Sequence, residues 1–166
     1  MSRLKSRVAL RFVLLGTTLA GSLAGAQQSV PNAEFVVSRP VVNMYKSASA
    51  DTEVTSQVLY GTGVKSLEKQ GDWIRIETAD DYTGWVEAGD VRAQGGSAYA
   101  PEGHSVRVTA LSANAYREAD VTEHAPVLRL PWEAILEVAS DSPKDDARWL
   151  RFGWWMGKLH GCSAAM

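Results

Sequence analysis

Apolar and polar residues alternate through "DWIRIET" (72–78), where Ile74 and Ile76 interleave with Arg75 and Glu77. A period of two predicts a strand with one buried face. Further short apolar runs are "FVVSRPVVNMY" (35–45), "SQVLYGTGVKSLEK" (56–69) and "GWVEAGDV" (84–91). Gly, Asp and Ser clusters separate them at the spacing of a small barrel or sandwich. "GDW" and "DDYTG" supply turn formers where hairpins must reverse. After residue 26 no window long enough for a helix shows a 3.6-residue period. "AQGGSAYAPEG" has no alternation and is rich in Gly, Ala and Ser, which predicts a linker over 94–104.

Across that linker the chain repeats itself. "VNMYKSAS" (42–49) matches "ANAYREAD" (113–120) at an offset of 71, pairing Asn43 with Asn114 and Tyr45 with Tyr116. The same offset pairs Leu59 with Leu130, Val64 with Ile135 and Leu67 with Val138. "SDSPKDDA" (140–147) then lengthens the second copy, and Trp73 is answered by Trp149 in "ARWLRF". Loop-closure entropy rises slowly with length, so an insertion there is tolerated. No "GWV" follows the second copy; the chain reads "GWWMGKLHGCSAAM" instead. The expectation is an all-β chain of two small units, 35–93 and 105–152, followed by an irregular tail over 153–166. The second unit is then an incomplete barrel with an unpaired edge. The alternative is that "GWW" forms an irregular closing strand.

The first 26 residues differ from the rest. Arg3, Lys5, Arg7 and Arg11 precede "FVLLGTTLAGSL", and Ala24-Gly25-Ala26 offers small residues before Gln27. These are the three parts of a secretory signal peptide, predicted over 1–26. The apolar stretch is shorter than the roughly 20 residues a spanning helix needs, so no stable membrane anchor is expected after cleavage. Removing four of the 17 basic residues and none of the 19 acids leaves 13 against 19, a net charge of −6. That balance lacks the positive field needed for nucleic-acid binding, and disfavours anionic lipids and teichoic acid. Cys162 is the one cysteine, so no intrachain disulfide supports these small cores.

The order "N-M-Y", "Q-V-L-Y-G", "G-D-W-I-R-I", "D-Y-T-G-W-V" resembles a bacterial SH3 (SH3b) domain, closely over 35–93 and more loosely in the second copy. The resemblance implies two small SH3-like barrels in tandem. In such barrels the Trp that begins each hairpin strand covers an open end, while Ile74, Ile76 and Val86 fill the interior. "QVLYG" with "GDW" and "DYTGWV" further resembles the first SH3b domain ahead of the catalytic domain in NlpC/P60 cysteine peptidases. Those enzymes cleave γ-D-glutamyl bonds in cell-wall peptides. The resemblance implies an exported, cell-wall-associated protein in the periplasm or outside the cell.

A cysteine nucleophile needs a histidine to lower its pKa and a third group to orient that histidine. "GCSAAM" lacks the acid of the family's "DCSG"-like motif and leaves four residues after Cys162, so no catalytic residue is assigned. His160 and Cys162 alone do not complete a zinc shell, and no phosphate loop or other metal spacing occurs, so no cofactor or metal is expected. What remains is binding. In relatives the first SH3b domain contacts the free amino end of the wall peptide, which suits a carboxylate and a tyrosine. By resemblance the carboxylate falls on Glu53, before "QVLYG", and the tyrosine on Tyr82, in the "D-x-Y-x-G-W"-like turn. Trp132, after Pro131, is the candidate exposed aromatic, whereas Trp73, Trp85 and Trp149 read as core. The expected partner is a peptidoglycan peptide or a peptidase domain. The alternative is a truncated or frame-shifted NlpC/P60 endopeptidase lacking its catalytic domain.

Overall fold

A computed structural model of the chain describes residues 33–95, 99, 105–139 and 149–153, and the backbone of 162–165. The expected signal peptide, most of the linker, the 140–147 insertion and "GWW" therefore lie outside the described residues. What is described is all-β, with one 3-10 turn at Ala88–Asp90.

The first seven strands are β1 (Phe35–Val37), β2 (Val41–Tyr45), β3 (Val54–Leu59), β4 (Gly63–Gln70), β5 (Trp73–Glu77), β6 (Thr83–Glu87) and β7 (Val91–Ala93). They form one antiparallel sheet in the order β3-β2-β6-β5-β4-β1-β7, with β3 and β7 as the edges of the ladder. β4 is shared: Gly63 and Val64 pair with β1, while Lys65–Gln70 pair with β5. A register shift between Ser66 and Glu68 leaves Leu67 as an extra, half-exposed residue. Such a bulge bends and twists a strand. The sheet thereby curls over a core of Val37, Val42, Met44, Val58, Val64, Ile74, Ile76, Val86 and Val91.

The alternation expected in β5 holds, with Ile74 and Ile76 buried and Arg75 exposed. The tryptophans take the other face. Trp85 stands across from both Arg75 and Tyr45, and Tyr45 meets the edge of Trp73 at 5.6 Å. Trp85 is buried in this group, but Trp73 is only half-buried, so the expectation of a core position is corrected for Trp73. Gly84 explains the "GW" pair. A Cβ there would lie 2.7 Å from that of Met44 and 3.2 Å from Thr55 Oγ1, so only glycine lets β2 approach β6.

The later strands are β8 (Ser105–Arg107), β9 (Ser112–Tyr116), β10 (Leu128–Pro131), β11 (Ile135–Glu137), β12 (Trp149–Phe152) and β13 (Cys162–Ala165). Their ladders run β10-β9-β13-β12 and β11-β8, joined by a bridge from Val138 to Phe152. Read through that bridge, the order is that of β3-β2-β6-β5-β4-β1. Tyr116 and Trp149 meet edge-on at 5.8 Å, as Tyr45 and Trp73 do; Trp149 is half-buried, so its expected core position is corrected as well.

Two sequence expectations change here. Cys162–Ala165 is not irregular: β13 lies between β9 and β12, with Ser163 across from Tyr116 where the first copy has Trp85 across from Tyr45. Its small residues carry no alternation, yet it pairs on both sides, over Cys162–Ala165 with β12 and over Ser163–Ala165 with β9. The constant offset of 71 is also corrected. Val42 faces Val58, and Ala113 faces Leu130; Phe35 faces Val64, and Val106 faces Leu136. Beyond the β9–β10 connection the offset is therefore 72. Buried Val58 and Val64 correspond to buried Leu130 and Leu136. One-residue slips exchange the faces of a strand, so burial decides the register.

A second core gathers Val108, Ala115, Leu130, Ala134, Leu136 and Phe152, together with Tyr60 from the first sheet. Tyr60 is 4% exposed, its carbonyl accepts from Ile135 N at 3.0 Å, and its hydroxyl lies 3.5 Å from the Gly153 carbonyl. Gly61 makes this approach possible. Its φ is +81°, and a Cβ there would collide with the backbone carbonyl of Ile135. Gly61→Ala is expected to lower stability by about 2 kcal/mol or more through backbone strain and the collision. Gly71→Ala, at φ +57° but in open space, carries the strain alone and is expected to cost about 1 kcal/mol. Urea midpoints of the two variants check this; equal losses would mean that the Gly61 contact contributes nothing.

Candidate functional site

The register places two turns at one end of the first sheet. Tyr45 at the end of β2 faces Trp85 near the start of β6, so the β2–β3 turn and the β5–β6 turn extend the same way. The first carries Asp51 and Glu53, and the second Asp80, Asp81 and Tyr82. Each turn is internally tied. Thr52 Oγ1 donates to the Ser49 carbonyl at 2.9 Å. Thr78, the buried polar residue of the second turn, donates through its backbone N–H to the Tyr82 carbonyl at 2.9 Å and through its hydroxyl to Asp80 at 2.6 Å. With Asp81 at φ +64°, the hairpin holds the Tyr82 ring outward, 57% exposed.

Glu53 is held across the base of its turn. Lys46 N donates to its carbonyl at 2.9 Å, and Lys46 Nζ lies 3.6 Å from its carboxylate. Both side chains are about 70% exposed, so the pair contributes little to stability. A ligand ammonium at Glu53 would compete with Lys46. Asp80 and Asp81, which the sequence reading passed over, add negative charge beside Tyr82; the signal was present in "TADDYT".

Trp132 lies apart, in the turn between β10 and β11, and is 55% exposed. It is the counterpart of Tyr60. Tyr60 N donates to the Pro40 carbonyl and Trp132 N to the Leu111 carbonyl, both at 3.1 Å. Gly61 N donates to the Val37 carbonyl, and Glu133 N to that of Val108. Glu133 occupies the left-handed position of Gly61, with φ +68° and an ion pair to Arg107. Where Gly61 lacks a side chain, Glu133 carries one, and it reaches Arg107. Trp132 instead stands exposed beside Leu111, itself 93% exposed.

Cys162 lies in β13, and His104 and His160 lie outside the described residues. His124 is 3.5 Å from the Glu118 carboxylate. Among the described residues no three His, Cys, Asp or Glu side chains converge as a metal site, and no helix is long and apolar enough to cross a membrane.

Comparison with known proteins fits the geometry of the first sheet. Residues 40–92 match the family model of the bacterial SH3 domain. Bacterial SH3 domains generally bind cell-wall components or attach to peptidase domains. Among solved structures, NlpC2 from Trichomonas vaginalis is similar at 11% identity and a TM-score of 0.31, over 81% of this chain and 47% of that one. The chain thus spans less than half of that protein. No curated protein matches it.

Sequence reasoning also missed the residues at the junction of the two sheets. Tyr99, in the expected linker, accepts from Glu137 N at 3.3 Å and donates to the Ile135 carbonyl at 3.1 Å. Gln94 holds Tyr99 N at 2.8 Å, and the Arg92 guanidinium lies 5.8 Å from the Tyr99 ring centre. Burial, reinforced by Tyr60, pushes the Tyr99 phenol well above its ordinary range, although its bond from Glu137 N acts the other way. A raised folded pKa makes this group's contribution complete below the unfolded value of about 10, and the contribution falls as pH rises beyond it. Stability is therefore expected to decline above about pH 10. Tyr99→Phe is expected to flatten part of that decline while costing about 1 kcal/mol at pH 7. Urea midpoints against pH measure both; an unchanged alkaline slope would remove Tyr99 as its source.

Proposed function

We propose that the chain is an exported, noncatalytic pair of SH3-like modules in tandem, bound to the cell wall through its peptides. The observation that carries this reading is the acidic end of the first sheet. There Tyr82 is exposed beside Asp80 and Asp81, at the same end of the sheet as the turn that bears Glu53. Carboxylates pair with an ammonium, and a phenol both packs and hydrogen-bonds, which suits the free amino end of a wall peptide. The bacterial SH3 match over 40–92 supports the cell-wall setting. The common strand order and the paired Tyr–Trp contacts support the tandem arrangement. Trp132 with Leu111 supports a second reading, docking on a peptidase domain, because two large exposed apolar side chains on neighbouring loops favour a protein partner.

The tripeptide L-Ala-γ-D-Glu-diaminopimelate is expected to bind in the millimolar range, since an exposed ion pair contributes about 1 kcal/mol or less. Tyr82→Ala is expected to weaken it about fivefold. Lys46→Met, which frees the Glu53 carboxylate, is expected to strengthen it about two- to fivefold. NMR titration of the chain reads all three. Shifts centred on Trp132 with Tyr82 silent would move the site to the second unit, and a Lys46→Met variant that binds more weakly would remove Glu53 from it.

A further inference from the structure

A groove of about 380 Å³ runs along the second unit, lined by Asn114 of β9 and by Pro126, Val127, Leu128 and Arg129 leading into β10. Among the described residues no acid lines it. Arg129 and Asn114 stand directly across from each other in the β9–β10 ladder, which puts their Cβ atoms about 5 Å apart on one face. The adjacent Leu130 and Ala115 are buried, so that face turns away from the core. In the first unit the same two positions hold Gln57 and Asn43, and that pair closes on itself. Gln57 Nε2 donates to Asn43 Oδ1 at 2.9 Å, and Asn43 Nδ2 donates to the Tyr45 hydroxyl at 3.4 Å. In the second unit Ser112 stands in the place of Val41 and holds the arginine, whose Nε donates to Ser112 Oγ at 3.1 Å. Among the described residues the Asn114 amide is left without a hydrogen-bond partner, and so are the Nη donors of Arg129.

We propose that this cross-strand pair binds the free carboxyl end of a peptide. The Nη groups of Arg129 receive the terminal carboxylate, whose planar shape matches the guanidinium fork. The Asn114 amide carries both a donor and an acceptor, so it complements the last peptide group of the ligand. Carboxylate and last peptide group are separated by a single Cα, a spacing that two side chains on facing strand positions can span. The groove has the volume of about a dozen waters, which leaves room for the preceding residue as well. The proposal does not rest on the wall-peptide site, whose residues Glu53 and Tyr82 lie in the first unit.

The test titrates the full chain with N-acetylglycine, its methylamide, acetate and inorganic phosphate, followed by NMR. N-acetylglycine is expected to shift the Asn114 side-chain amide and the Arg129 Nε–H. It is expected to bind about tenfold more tightly than the methylamide, which lacks the carboxylate, and about threefold more tightly than acetate, which lacks the peptide group. Arg129→Gln recreates the closed pair of the first unit and is expected to weaken N-acetylglycine about tenfold. Ser112→Val keeps every charge but releases the arginine, and is expected to weaken it about threefold. The ligand comparison uses the unaltered chain, so it stands even where a substitution unfolds the protein. Tyr82→Ala is expected to leave N-acetylglycine binding unchanged, which separates this site from the wall-peptide site. Phosphate binding as tightly as N-acetylglycine would reduce the groove to a general anion site and overturn the proposal. So would equal affinity for acid and methylamide, variants that bind as the parent does, or shifts that bypass Asn114 and Arg129.

Discussion

Tyr60 belongs to one sheet by chain and to the other by packing, and the relation between the two halves depends on that mismatch. Its ring closes the core of Leu130, Ala134, Leu136 and Phe152, while its backbone remains in the β3–β4 turn. Without it that core would lose a large aromatic side chain and face solvent at the junction. Each half is small, and small units bury too little surface to be stable by a wide margin. The shared side chain therefore stabilises the second half and, together with the bonds of Tyr99 to Ile135 and Glu137, sets its position. Gly61 follows from this, because backbone can approach Ile135 so closely only where no Cβ intervenes.

The internal repeat shows how one turn can serve two ends. At Tyr60–Gly61 the turn docks; at Trp132–Glu133 the same hydrogen bonds form, but Glu133 brings a side chain and pairs with Arg107. A residue with a Cβ in the left-handed region costs about 1–2 kcal/mol. Glu133 meets that cost where its carboxylate also pairs with Arg107. The second turn is thereby left to present Trp132 rather than to bury it.

Much of the first half was legible because its strands obey a period of two. Ile74, Ile76 and Val86 are buried as the alternation requires, and Tyr82 sits at a hairpin tip because "DDYTG" is turn chemistry. The second half was less legible for three physical reasons. One additional residue beyond β9 slips the repeat from 71 to 72, which exchanged Leu59 for Val58 and Ile135 for Leu136 in the pairing. β13 is made of Cys, Ser and Ala, whose strand state comes from partners on both sides rather than from pattern. Tyr99 lies in a Gly/Ala/Ser-rich stretch whose composition signals a linker, and only the tertiary contact with Ile135 and Glu137 reveals it as an anchor. Glu53 and Tyr82 came from resemblance, and nothing local to either residue marks it apart from any other surface acid or hairpin aromatic. Asp80 and Asp81 gain meaning only when the β2–β6 pairing brings their turn to the end that carries Glu53.

The acidic end and the junction differ in how strongly water screens their charges. At the acidic end, Glu53 and Lys46 are both in water, where screening reduces any pair to a modest contribution. At the junction, Arg92 and Glu137 lie beside the half-buried Tyr99 phenol, where electrostatic contacts are screened less. An extended wall peptide suits the first, because its length lets several weak contacts add along an open surface. Affinity at the acidic end is then set by how many exposed groups a ligand reaches, whereas at the junction Tyr60 and Tyr99 already take up the polar groups of Ile135 and Glu137.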